Sequence, residues 1–276
     1  MVNWNLSPIS QPAIPQIEHL AEIEPVPLPE LDAASPVVVR AAAWVDNVTA
    51  GRRYRSTVVR SVSSGVAQSI GKLVMNWPGR EAAGTAWVVA RCAIATAAHC
   101  VFDPAHGGWP QTIEFYPQYA DGRTLGRWFG TTVHLYRAWT QDRNFEWDFA
   151  ICTLDGALPS QIPRIRFGRG LTGRPPREWR ALGYPGKARP GYGFEGRKIW
   201  QCTGDSVPPR GRLLHGMVSN LTPGCSGGPW VYLNRNKTPI ADGLNSFRYL
   251  ENRYRMYSPV LDERFGKLYD LVKGLR

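Results

Sequence analysis

The sequence predicts an all-β protein: about twelve short strands arranged as barrels or sandwiches, with one C-terminal α-helix and a proline-rich N-terminal extension. Three observations predict it. From about residue 66, short apolar runs recur between glycine and proline turn signals, the texture of barrels and sandwiches. The runs fall into two groups of six, at 70–75, 86–89, 93–96, 112–116, 131–136 and 149–154, then at 179–182, 198–203, 213–219, 230–233, 240–244 and 255–260, with a Pro-, Gly- and Arg-rich loop at 159–177 between the groups. Finally, Leu261, Phe265, Leu268, Leu271, Val272 and Leu275 recur at spacings of three and four, which is one face of an amphipathic helix expected to pack against the second half.

Residues 1–55 have a different texture. Seven prolines fall there, several alternating as Pro-X-Pro at Pro25, Pro27 and Pro29. Proline removes a backbone donor and blocks regular ladders, so this stretch is expected to be extended or disordered. The basic cluster Gly51-Arg52-Arg53-Tyr54-Arg55 is expected to be exposed, as a plain linker or a processing site. Charge follows the same division. Residues 1–50 hold six acids and one base, a net of −5, so the remainder carries +16 of the overall +11.

A basic body attracts anions, acidic peptides or nucleic acid. No nucleic-acid-binding motif accompanies the charge, so no nucleic-acid partner is expected. No run of 18 apolar residues exists, which gives no expectation of a membrane span. Met1 to Ser10 have neither a basic start nor an apolar run, which argues against an intact secretory signal peptide. Five cysteines (Cys92, Cys100, Cys152, Cys202, Cys225) are too few for a disulfide scaffold in a chain of 276 residues. Compartment and oligomeric state stay open.

Three motifs carry chemistry: Thr96-Ala97-Ala98-His99-Cys100, Trp147-Asp148-Phe149-Ala150-Ile151, and Pro223-Gly224-Cys225-Ser226-Gly227-Gly228-Pro229. A nucleophilic serine needs its oxygen exposed on a tight turn, with backbone N–H groups aimed where negative charge develops. Glycine permits both, and the N–H groups of Gly224 and Ser226 are the candidate oxyanion hole. His99 is a candidate base, since imidazole titrates near neutral pH. Asp148 is the candidate that orients it, with Asp142 and Asp155 as nearby competitors. A zinc site from His99, Cys100 and His106 is the rival reading. No Cys-x-x-Cys or His-Glu-x-x-His supports it, and no metal or cofactor is expected.

The order His, Asp, Ser is that of one triad class among several unrelated ones. The first and third motifs resemble the two signatures of trypsin-like serine peptidases. Gly84-Thr85-Ala86-Trp87, Gly183-Tyr184-Pro185-Gly186 and Gly243-Leu244-Asn245-Ser246 resemble the glutamyl endopeptidase-like branch. The resemblance covers about residues 66–265 and leaves 1–55 outside. It implies a chymotrypsin-like pair of six-stranded antiparallel β-barrels, 66–158 with His99 and Asp148 and 178–276 with Ser226 and the helix, with the triad in the cleft between them. Peptides or proteins would be the substrates.

Three departures from that family matter. Cys225 replaces the aspartate that pairs with a new N-terminus in animal trypsins, so that activation switch is not expected. The usual partner of Cys100 would fall at Gly84. The resemblance puts Cys92 and Cys152 on neighbouring strands, where a disulfide is an open pairing. Around the primary pocket it implies Asn220 and Leu221 at the base and Ser246, Phe247 and Arg248 along the wall. Asn245 stands where the glutamyl branch has an acid-recognising histidine. Arg248 stands where glycine is usual, to pair with an acidic substrate group or to crowd the pocket.

Three classes therefore compete: an active serine endopeptidase, an inactive relative that binds through its cleft, and a basic nucleic-acid-binding protein. The first accounts for all three motifs. The acidic extension, tethered to a basic body, is expected to act as an inhibitory or folding pro-segment, against the plainer expectation of a tail without regulatory role.

Overall fold

The computed structural model describes residues 1–5, 20, 22–31, 53–168, 176–208 and 211–275. Most of the extension, including Gly51 and Arg52, lies outside them, as do residues 169–175 of the predicted inter-barrel loop. Among the described residues, three strands lie in the extension, β1 (Val2–Asn5), β2 (Glu24–Pro25) and β3 (Glu30–Leu31), and a fourth, β4 (Tyr54–Val58), starts at its end.

The first half follows as β5 (Ile70–Trp77), β6 (Arg80–Ala90), β7 (Ala93–Thr96), the single-turn α1 (Ala98–Val101), β8 (Thr112–Pro117), β9 (Trp128–Leu135), α2 (Arg137–Thr140) and β10 (Ala150–Leu154). The six strands β5–β10 pair antiparallel in the order β9-β10-β7-β6-β5-β8, and β8 pairs with β9 again, so the sheet closes. Closure removes the free edges that a six-stranded sheet would otherwise expose. Leu73, Met75, Trp87, Ile94, Ile113, Phe115, Val133 and Ile151 are all buried in the core of this half.

The second half contains β11 (Arg166–Phe167), β12 (Glu178–Gly183), β13 (Trp200–Val207), β14 (Leu214–Val218), β15 (Pro229–Leu233), β16 (Pro239–Leu244), β17 (Arg248–Tyr249) and β18 (Arg255–Pro259). Six of these form one antiparallel path, β16-β15-β12-β13-β14-β18, with β11 parallel on its outer edge. The two ends of the path meet without a strand ladder. Leu244 N donates to Ser258 Oγ at 2.6 Å and Leu261 N to the Asp242 carbonyl at 3.2 Å, and these bonds close the seam. All twelve strands expected from the apolar runs are present, and the architecture is the chymotrypsin-like one.

The C-terminal helix α3 (Glu263–Val272) starts at Asp262, whose side chain accepts from Arg264 N at 2.9 Å. It packs on the first half as well as on the second, the half that the sequence predicts. Phe265 lies on Trp87 and Phe149, with ring centroids 6.0 and 5.8 Å apart, and the Tyr136 hydroxyl donates to the Arg264 carbonyl at 2.8 Å. Phe265 and Tyr269 also meet Phe167 of β11, with ring centroids 5.0 and 5.2 Å apart, so the apolar face lies against both halves. Among the described residues no helix is long and apolar enough to cross a membrane.

The extension attaches to both halves. β1 pairs with β9 in the first barrel and β4 pairs with β13 in the second, so Tyr54 and Arg55 of the basic cluster sit in a ladder. All five cysteines are free and buried, so the pairing of Cys92 with Cys152 is not formed.

Candidate active site

α1 follows β7 directly and carries His99 on its single turn, with Ala98, Cys100 and Val101 buried around it. Asp148 follows a short 3-10 turn at Phe145–Trp147 and immediately precedes β10. The two side chains meet. His99 Nδ1 and Asp148 Oδ2 are 2.8 Å apart, and the backbone N–H of His99 donates to Asp148 Oδ1 at 2.8 Å. Ser246 Oγ makes a short bond to the same carboxylate. The competitors lie elsewhere: Asp155 accepts from Phe129 N at 3.0 Å, and Asp142 is exposed.

Burial shapes the electrostatics of the pair. On its own it would raise the Asp148 carboxyl; the imidazole, the Ser246 hydroxyl and the His99 amide hold it below the ordinary value. Burial alone would lower His99, and the Asp148 carboxylate outweighs it and holds the imidazole above its usual range. With Nδ1 engaged, Nε2 faces the site, buried and without a hydrogen-bond partner.

Ser226 sits in the turn between Thr222 and β15, where Gly224 and Gly227 have φ of +94° and +83°. A Cβ on Gly227 would lie 2.0 Å from Thr96 Oγ1, so only glycine lets this turn approach the first barrel. Thr85 of β6 fastens that approach. Its N–H donates to the Ser226 carbonyl at 2.9 Å, its hydroxyl donates to the Gly224 carbonyl at 2.9 Å, and the hydroxyl oxygen accepts from Tyr184 N at 3.0 Å. The sequence reading noted Thr85 only within the resemblance. Its spacing gives no hint that it bridges the two halves.

Residues 22–31 cross the site. Gly224 N donates to the Val26 carbonyl at 3.0 Å, and Ser226 Oγ stands 3.5 Å from that oxygen and 3.4 Å from the Pro27 carbonyl. Ser226 Oγ therefore turns toward this segment, and no bond joins it to His99 among the described contacts. Ser226 is fully buried and His99 is 6% exposed, leaving a cavity of about 120 Å³ beside the imidazole. A larger cavity of about 690 Å³, lined by Arg60, Gln118 and Lys198 among others, includes none of the site residues.

The expected pocket residues divide by role. Asn245 is committed to scaffolding: its Nδ2 donates to the Leu182 and Cys225 carbonyls and its Oδ1 accepts from Trp230 Nε1, all at 2.8–2.9 Å. Ser246 serves Asp148, and Phe247 packs among Phe145, Tyr249 and Tyr257. Asn220 accepts from the Ser56 hydroxyl, while its Nδ2 is buried without a partner. Arg248 reaches the Leu221 and Arg253 carbonyls, and burial lowers it to about 10. It crosses the pocket wall to Leu221 instead of projecting toward an acidic group. Burial pushes the Cys225 thiol far up, so it is no thiolate near neutral pH.

No protein-family model matches the sequence, and no curated protein matches it. Solved structures do. The chain is similar to the protease Anisep from Arthrobacter nicotinovorans, at 23% identity and TM-score 0.63, over 79% of this chain and 99% of that one. It is similar to a thermostable serine protease from an extremophilic microorganism, at 26% identity and TM-score 0.63, over 76% and 98%. A Glu endopeptidase matches at 20% identity and TM-score 0.64, over 79% and 96%. The fold of this chain is thus the chymotrypsin-like fold of serine proteases, a glutamyl endopeptidase among them.

Proposed function

We propose that this protein is a serine endopeptidase that cleaves peptide bonds in peptides or proteins through an acyl-enzyme. The observation that carries the reading is the Asp148–His99 pair, bonded at 2.8 Å through Nδ1 with Nε2 left bare beside the turn that bears Ser226. Ser226 Oγ attacks the scissile carbonyl while His99 Nε2 takes its proton. The Gly224 and Ser226 N–H groups hold the resulting oxyanion; the bond from Gly224 N to the Val26 carbonyl at 3.0 Å supports an inward-facing donor there. His99 returns the proton to the leaving amine, and water repeats the sequence on the ester. Asp148 holds the tautomer that leaves Nε2 free to accept.

A fluorophosphonate, which traps only an activated serine, tests the reading. Mass spectrometry is expected to find one adduct, on Ser226. Ser226→Ala is expected to abolish labelling and lower peptide turnover by about 10⁶. An adduct on another residue, or turnover that survives Ser226→Ala, refutes the assignment. A cleft that only binds peptides would give no adduct at all.

A further inference from the structure

The site is sealed by the chain's own N-terminal extension, and the sense in which that segment runs has a chemical consequence. β2 pairs parallel with β6, Glu24 opposite Ala82 and Pro25 opposite Ala83, and Val26 N donates to the Ala83 carbonyl at 2.7 Å. β3 pairs parallel with β17, and Arg248 N and Leu250 N donate to the Pro29 and Leu31 carbonyls at 2.8 and 2.9 Å. The segment therefore spans the cleft from the first barrel at residue 24 to the second at residue 30.

A productive substrate runs the other way. The leaving amine takes its proton from His99, which shares its small cavity with Ala82 and Trp77 of the first barrel. The leaving half of a substrate thus lies beside β6, and the acyl half, which precedes it in sequence, lies along Ser246 to Arg248. In residues 22–31 the carbonyl that meets Gly224 N belongs to Val26, but the amide nitrogen following it, Pro27 N, continues toward the second barrel. The oxyanion donor is occupied while the bond that would break is directed to the acyl side.

We propose that residues 22–31 are a built-in inhibitor that occupies the cleft in the reverse sense of a substrate and is held there without being cut. The proposal rests on the peptidase reading above. The anchors are mostly apolar. Ile23 and Val26 are buried in a core cluster to which both halves contribute, and Leu28, 6% exposed, joins the second-barrel cluster that includes Leu221 and Cys225. Glu24 adds an ion pair to Arg80 at 3.5 Å, and Lys72 Nζ holds the Leu20 carbonyl. Pro25, Pro27 and Pro29 restrict the free segment to extended backbone, which lowers the entropy lost on docking. They also remove N–H donors from alternate positions, leaving Val26 N to make the first-barrel bond.

The test uses the full chain with Leu28→Ala and Leu28→Asp, Leu28→Ala being the milder change if the aspartate variant does not fold. Fluorophosphonate labelling of Ser226 is timed, and hydrogen exchange at the Gly224, Arg248 and Leu250 amides, whose acceptors belong to the segment, reads docking without reference to catalysis. Both variants are expected to exchange faster at these three amides and to label at least tenfold faster than the wild type. Faster exchange with unchanged labelling overturns inhibition while leaving the peptidase intact. Unchanged exchange and unchanged labelling overturn the anchoring. No labelling in a folded variant whose three amides exchange freely overturns the peptidase reading, and inhibition falls with it.

Discussion

Replacing Asp148 by asparagine removes one acceptor oxygen from a carboxylate that serves three donors: His99 Nδ1–H, His99 N–H and the Ser246 hydroxyl. An amide can accept from some of these, but its NH₂ must then face a group that was a donor. The simplest accommodation turns Nδ1 into an acceptor and moves the imidazole proton to Nε2, where it blocks acceptance from Ser226. A misplaced tautomer of this kind costs about 10⁴ in kcat. Lost charge-assisted hydrogen bonds add about 1.5–3 kcal/mol of destabilisation. The pH profile should move as well. The active base is the neutral imidazole, so activity rises with pH through the His99 pKa, which the Asp148 carboxylate holds above 6.5. In Asp148→Asn burial remains and the carboxylate is gone, so the acid limb should shift to lower pH. The assay is kcat/KM on one peptide across the pH range, with thermal unfolding as a control and with Asp142→Asn and Asp155→Asn for comparison. A loss under tenfold, an acid limb that stays put, or an equal loss in either comparison variant refutes the reasoning.

Two further outcomes are expected. Cys225→Ala should keep most peptidase activity, because the Cys225 thiol is buried and protonated; inactivation of the wild type by thiol alkylation alone would contradict this. Lys72 is buried and lowered by that burial from 10.5 to about 7, so between those values the unfolded chain binds a proton that the folded one does not, and its contribution makes stability rise with pH. His99, raised by Asp148, works in the opposite direction over an overlapping window, so the Lys72 effect is read as a difference. The stability of the wild type relative to Lys72→Met in denaturant unfolding should rise by about 2 kcal/mol from about pH 7 to about pH 9, and a constant difference would refute it.

The strands and the site were legible for different reasons. Strand positions follow from apolar runs and turn residues, both local properties, and all twelve expected segments form strands. His99 and Ser226 stand out because a nucleophile turn and a base leave short motifs. Spacing alone does not separate Asp148 from Asp142 and Asp155; the apolar residues beside it at a strand start favour it, and it is the one that is buried and bonded to His99. Thr85 and Ser246 were harder still. Each acts across a gap in sequence, Thr85 on a turn about 140 residues away and Ser246 on Asp148, so no local pattern exposes them. The helix shows the same limit: periodicity gives its amphipathic face, but not that the face meets Trp87 and Phe149 of the first barrel as well as Phe167 of the second half.

The described part of the extension shows what charge counting leaves out. Its acidity against a basic body predicts attachment by long-range attraction, yet the described contacts include one ion pair with a well-exposed partner, Glu24–Arg80. Such a pair contributes about 0–1 kcal/mol and fades with salt. The buried side chains of Ile23, Val26 and Leu28 and the backbone bonds to Ala83, Gly224 and Arg248 lie in water-poor surroundings, where screening has little reach. Burying a leucine-sized side chain alone contributes about 1.5–3 kcal/mol. The informative signal lay in the Pro-X-Pro alternation: prolines at 25, 27 and 29 leave every second residue free to place a side chain or an N–H, and those intervening residues, Val26 and Leu28, are buried, Val26 with its carbonyl on Gly224 N and Leu28 in the cluster with Leu221 and Cys225.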